Sequence, residues 1–262
     1  MAYNPISIKG TTPGNSTTSF MAKKGMNIRD LPQLLSPEFA LIIRNYIVTT
    51  DGGLRKRNGL EPFFDQGGTD PILMLEKYTD DIYIFAFATT VAAYTISTDT
   101  ITSIKTDFNV SGFSGARYGD YFFVASPGDN IGRISQTLDY NNQTANFTVG
   151  EVVTGGTSGA TAIILEDSDA GVTGTLTLGS IQGTFQTTEL ITDPLGGSAD
   201  ANGVVGFTFT SISGAPKAKV IKVVDTRLFA GNLEVDPTRL TYSEVDDGSN
   251  PPFDSWPSST TA

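Results

Sequence analysis

Apolar residues in this chain fall into short runs, and most runs alternate with polar positions. Between 72 and 105 the segments ILMLEKYT, IYIFAFA, VAAYTIS and TITSIK are four runs of strand length. They are broken at Asp80-Asp81, Thr89-Thr90 and Asp99, residue types that turns accept. Strand-length runs with turn residues between them predict a meander of four antiparallel strands. The windows DIYIFA (81–86), DYFFVA (120–125) and DTRLFA (225–230) repeat one pattern: Asp, a β-prone run, then a small residue. The first two lie 39 residues apart and the third follows after 105. A period near 40 residues is that of a four-stranded propeller blade, with roughly 65 residues inserted between the second and third copies.

A composition break supplies that insert. From Ile134 to Pro216 there is no Lys or Arg, while eight acids occur: Asp139, Glu151, Glu166, Asp167, Asp169, Glu189, Asp193 and Asp200. Inside it FTVGEVVT (147–154) matches FQTTELIT (185–192) at an offset of 38, and a Gly-rich stretch follows each copy. Two similar β units packed as a small sandwich or barrel-like lobe are expected. Before the blades, 11–19 (TTPGNSTTS) is of low complexity. Ser36-Pro37-Glu38 has the N-cap, first-turn proline and acid that open a helix, expected to run to about Asn45. YIVTTDGGLRKRNG then predicts a strand, an Asp-Gly-Gly turn and a second strand. The expected fold is all-β: propeller-like blades of four-stranded antiparallel sheet, an inserted small β module and an extended N-terminal arm. The predicted divisions are an arm at 1–60, blades at 61–140, the acidic module at 141–210 and a continuation of the blade domain at 211–262.

Composition narrows the chemistry. The 262 residues include neither Cys nor His. That removes Cys/His zinc sites, thiol nucleophiles and Ser–His–Asp triads. An enzyme is not expected, and no cofactor or metal is called for. The opening MAYNPISIKG lacks the charged start and apolar core of a signal peptide, and no stretch of about 18 apolar residues occurs. Membrane insertion is therefore not expected. The net charge of −11 is uneven: residues 1–60 hold eight Lys/Arg against three acids, and the remainder nine against 25. A basic arm on an acidic body favours contact between the two, within one chain or between neighbouring copies.

The stretch GMNIRDLPQLLSPEFALIIRNYIVTTDGGLRKRNG (25–59) resembles the N-terminal segment of tail "stabilisation" proteins of tailed bacteriophages. The residues carrying the likeness are Gly25, Asn27, Leu31, Pro32, Leu35, Pro37, Ala40, Asn45, Gly52, Gly53, Leu54, Arg55, Arg57 and Gly59. RLFAGN (227–232), LTYSEVDD (240–247) and FDSW (253–256) are similar to the same family. The insert is similar to Gly-Glu-x-Val-Thr-Gly…Ser-Gly-Ala-Thr-Ala modules of phage virion proteins. The resemblance implies a β-propeller tail component, the nozzle or hub of a short tail. It also implies a homo-oligomeric ring, typically a hexamer, around the DNA exit channel. The implied partners are an adaptor, fibres and non-specifically passing DNA, and the implied location is the virion after synthesis in the host cytoplasm. The alternative is a receptor- or glycan-binding tail protein whose inserted module faces the host.

Several local patterns compete with blander uses. Arg55, Lys56 and Arg57 suit contact with a neighbouring subunit's acids or with DNA phosphates, or plain solvation. Glu166-Asp167-Ser168-Asp169 offers oxygens to a hard cation but lacks the full calcium-loop spacing. GGTSGAT (155–161) has the glycines of a phosphate cradle without the following Lys, and predicts a strand-linking turn. Trp256, Phe253 and Tyr242 suit either a sugar-stacking platform or the core.

Overall fold

The computed structural model describes residues 46–48, 54–56, 64–109, 112–246 and 251–256. The described residues form only β-structure, all of it antiparallel, with no helix among them. The helix expected at 36–45 lies outside them.

In the arm, β1 (Tyr46–Val48) and β2 (Leu54–Lys56) pair in register, Tyr46 opposite Lys56 and Val48 opposite Leu54. The body, from Phe64 onward, is a separate compact unit. Its first sheet is the expected meander: β3 (Ile72–Lys77), β4 (Ile82–Phe87), β5 (Thr90–Thr95) and β6 (Thr100–Lys105). The second contains β7 (Ser114–Tyr118), β8 (Tyr121–Ser126), the 17-residue β9 (Asp129–Ala145) and, returning after the insert, β15 (Gly206–Ser211). The third is β16 (Ala218–Val224), β17 (Arg227–Leu233) and β18 (Leu240–Tyr242). The three repeated windows map onto β4, β8 and β17, the second strand of each sheet. The tight turns before β8 and β17 place Gly119 (φ 57°) and Asp225 (φ 51°) in the left-handed region, which Gly and Asp adopt most readily.

The sheets stack face to face. β8 is buried along its whole length because it is covered on both sides. Phe122 and Val124 point to the first sheet and join Met74, Ile84, Val91 and Phe108, with Phe207 and Phe209 of β15 at the margin. Tyr121, Phe123 and Ala125 point the other way, to Ile221, Leu228, Ala230 and Phe253. A strand buried on both faces loses the polar half of its alternation, which is why YFFVA reads as a solid apolar run. The first and third sheets do not touch each other.

The insert is a closed ring of strands. β10 (Val152–Gly155), β11 (Thr161–Asp169), β12 (Gly174–Gln182), β13 (Leu190–Thr192) and β14 (Ser198–Ala201) pair in the order β9-β12-β11-β10-β13-β14, and β14 returns to β9. The 38-residue echo is a pseudo-two-fold axis. It passes between Leu138 and Leu176, which face each other on one wall, and between Thr154 and Thr192 on the opposite wall. Equivalent residues fill the interior: Phe147 with Phe185, and Val153 with Ile191. In so small a barrel, side chains alone occupy the inside.

The composition break placed the module at 141–210, and the ring itself is displaced from that span. Leu138 and Tyr140 already belong to its core, whereas β15 pairs with residues 132–137 and lies in the second sheet. Tyr140 faces Gly174 on one edge of β9 and Ala201 on the other. The first half of β9 is thus sheet and its second half barrel. No break in charge or hydropathy marks that transfer, because one strand serves both cores.

Candidate functional site: an open sheet face and a polar cleft

The predicted basic triplet is split by the described region. Arg55 and Lys56 lie on β2, opposite Ile47 and Tyr46, and Arg57 is outside the described residues.

The acidic run 166–169 lies on β11, where successive side chains leave opposite faces. Glu166 accepts a hydrogen bond from the Tyr121 hydroxyl (2.8 Å) and an ion pair from Arg133 (2.8 Å). It thereby ties barrel to sheet. Burial, then the Glu166 carboxylate, push the Tyr121 phenol well above its usual range. Asp167 accepts from Tyr140 (2.9 Å), and Asp169 from Asn146 (2.9 Å) and the Gly171 amide. These carboxylates are divided among three structural tasks. Among the described residues no group of three or more acids converges as metal ligands do.

The Gly-rich turn does cradle an anion, and the anion is the chain's own. Glu189, 5% exposed, accepts from the amides of Thr157 (3.1 Å), Ser158 (2.9 Å) and Gln186 (2.6 Å) and from the Ser158 hydroxyl (2.9 Å). Burial opposes its charge, but these donors outweigh burial and hold the carboxyl below its ordinary range. Asp193 repeats the device, accepting from the amides of Thr148, Leu195 and Gly197. A residue that ties a loop 31 or 32 positions away cannot be recognised from local pattern.

The aromatic trio does not form a platform. Phe253 is core, packed on Tyr118 (4.7 Å) and Phe123 (5.3 Å), and Trp256 lies against the same core with its indole N–H on the Phe253 carbonyl. Tyr242 lies on the opposite face of the third sheet, beside Phe229 and under the Arg227 guanidinium.

That opposite face is open. Cross-strand pairing puts Val220, Lys222, Val224, Phe229, Leu240 and Tyr242 on one surface. Leu240 is 65% exposed, Val220 52%, and Val224 and Tyr242 nearly half. In the second sheet the equivalent strand, β8, is buried on both faces. An apolar sheet face of this kind is the usual mark of an interaction surface.

A second feature is a cleft of about 780 Å³ between the turns of the first sheet, the β7–β8 turn and one end of the barrel. Asp120 is its hub. Its backbone carbonyl accepts from the buried Tyr78 hydroxyl (2.5 Å), and its carboxylate accepts from the Ser180 amide (3.1 Å). Gly179 leaves room for this approach: a Cβ there would lie 2.5 Å from the Asp120 carboxylate and displace it. Ser180 itself, with φ 51°, lines the cleft. On the facing side Asp81 binds the amide and hydroxyl of Ser97. Sequence reasoning missed this site, because its residues are scattered over turns and single strand positions.

Scanned against models of known protein families, the chain matches none, and no curated protein matches it. Among the described residues no helix is long and apolar enough to cross a membrane.

Proposed function

We propose that this chain is a structural component of a tailed-phage virion, in the tail nozzle or hub. It works by assembling as a ring around the DNA exit channel. The observation that carries this function is the stack of antiparallel sheets with one apolar end face left open. The second sheet has a partner on each side, and the third presents Val220, Val224, Leu240 and Tyr242 with none among the described residues. In this function each sheet is a propeller blade, spaced as the 39-residue repeat of β4 and β8, with the barrel inserted between the last two strands of the second blade. Three sheets are fewer than the about four to eight blades of a closed propeller, so the end face needs a further partner. The likeness of 25–59 to phage tail proteins supplies the biological setting. The basic arm engages acidic surfaces of a neighbour, and the acidic body lets DNA pass without sequence-specific binding.

Sedimentation and electron microscopy of the purified chain test this directly. Closed rings are expected, together with the chain's presence in purified virions. Val220→Asp combined with Leu240→Asp should break the rings while leaving the β circular-dichroism signal intact. A chain that stays monomeric at assembly concentrations and is absent from virions overturns the proposal.

A further inference from the structure

We infer that the cleft between the first sheet and the barrel is a binding site for a neutral oligosaccharide. Its volume, about 780 Å³, lies within the range of ligand sites. A sugar presents hydroxyls that both donate and accept, alternating with apolar C–H faces. Its recognition therefore needs donors, acceptors and a patch of hydrocarbon together. The cleft has all three. Gln136, Gln182 and the terminal nitrogens of Arg117 line it with no protein hydrogen-bond partner among the described residues. Asp81 and Asp120 supply acceptor oxygens and are held in place by the Ser97 and Ser180 amides. Ile181, Val205 and Phe207, all half-buried, offer the apolar floor.

Other ligand classes fit less well. A polyanion would meet Asp80, Asp81 and Asp120 against the single guanidinium of Arg117. A purely apolar ligand would bury the free amides and the guanidinium unpaired, which opposes binding. The site is also built rigidly. Asp120 links the first sheet through Tyr78 and the barrel through Ser180, so the two walls are fixed relative to each other without a ligand. Such preorganisation lowers the entropy lost on binding.

The test uses the full chain with three neutral probes, maltotetraose, cellotetraose and chitotetraose, followed by NMR titration. At least one should bind saturably with a dissociation constant on the order of 1 mM or tighter. Amide shifts should concentrate at 95–102 and 180–184. Arg117→Ala with Gln182→Ala should weaken binding at least tenfold, whereas Leu195→Ala, remote on the barrel surface, should not. The shift map of the unmodified protein keeps the test decisive even if the double variant folds poorly. Failure of all three probes, shifts located elsewhere, or preferential binding of a heparin tetrasaccharide or an acidic peptide would overturn the inference. Ring assembly, read separately by sedimentation, is untouched by any of these outcomes.

Discussion

At the scale of single residues, the acids of the insert are mostly structural. Glu189 is the clearest case, a nearly buried carboxylate satisfied by four donors from two loops. Glu189→Gln keeps the shape but sets an amide N–H₂ against N–H donors. A loss of about 2–3 kcal/mol in thermal or denaturant unfolding is expected. Its folded pKa is depressed, so its contribution is complete above the ordinary carboxyl range and is lost as pH falls through the depressed value. Unfolding followed from pH 7 to 3 should show this acid sensitivity reduced in the variant. Asp167 has the opposite sign. Burial raises its pKa, so its stabilising contribution exists at low pH and disappears as pH rises through that raised value. Asp167→Asn should accordingly match or exceed the parent's stability at pH 7. None of these roles is visible as a motif, since each depends on a partner brought in by the fold.

At the scale of elements, β8 shows how one strand serves two cores. Phe122 and Phe123 are neighbours in sequence and both are fully buried, yet they belong to different interfaces. Replacing either with Ala should cost about 3–5 kcal/mol. Hydrogen exchange should separate them. Phe122→Ala loosens β4 and β5, while Phe123→Ala loosens β16 and β17; identical exchange patterns would contradict the stacked arrangement. The strands of the first sheet were legible because each is a short β-prone run bounded by turn residues. β9 was not legible at full length. Asn141-Asn142 looks like a turn, but Asn142 accepts φ 51° and the strand continues through it along the barrel.

At the scale of the whole molecule, the barrel is an insertion whose ends meet. Thr137 and Gly206 are cross-strand partners, so the two crossings between sheet and barrel lie side by side. Joining them by an Asn-Gly turn in place of 138–205 should close the β9–β15 hairpin and leave the three sheets folded. The cost is the lost Glu166 contact to Tyr121 and Arg133 and the lost Ser180 amide on Asp120, and a lower melting temperature is expected. Circular dichroism and sedimentation would check both. Retained ring assembly places the assembly surface on the sheets, and collapse of the fold would show that the barrel is integral to it.

The amino-acid sequence alone determined the all-β class, the four strands of the first sheet, the repeat that marks the second strand of each sheet and the two-fold echo in the insert. All of these are local or periodic properties, set by side-chain alternation and turn preference. Tertiary structure alone decided that the insert closes into a ring, that β9 is divided between two cores, and that the Gly-rich turn is neutralised internally by Glu189. It also decided that turns from separate strands enclose one polar cleft. Each of these depends on residues tens of positions apart meeting in space, and long-range pairing leaves no fixed spacing in the chain.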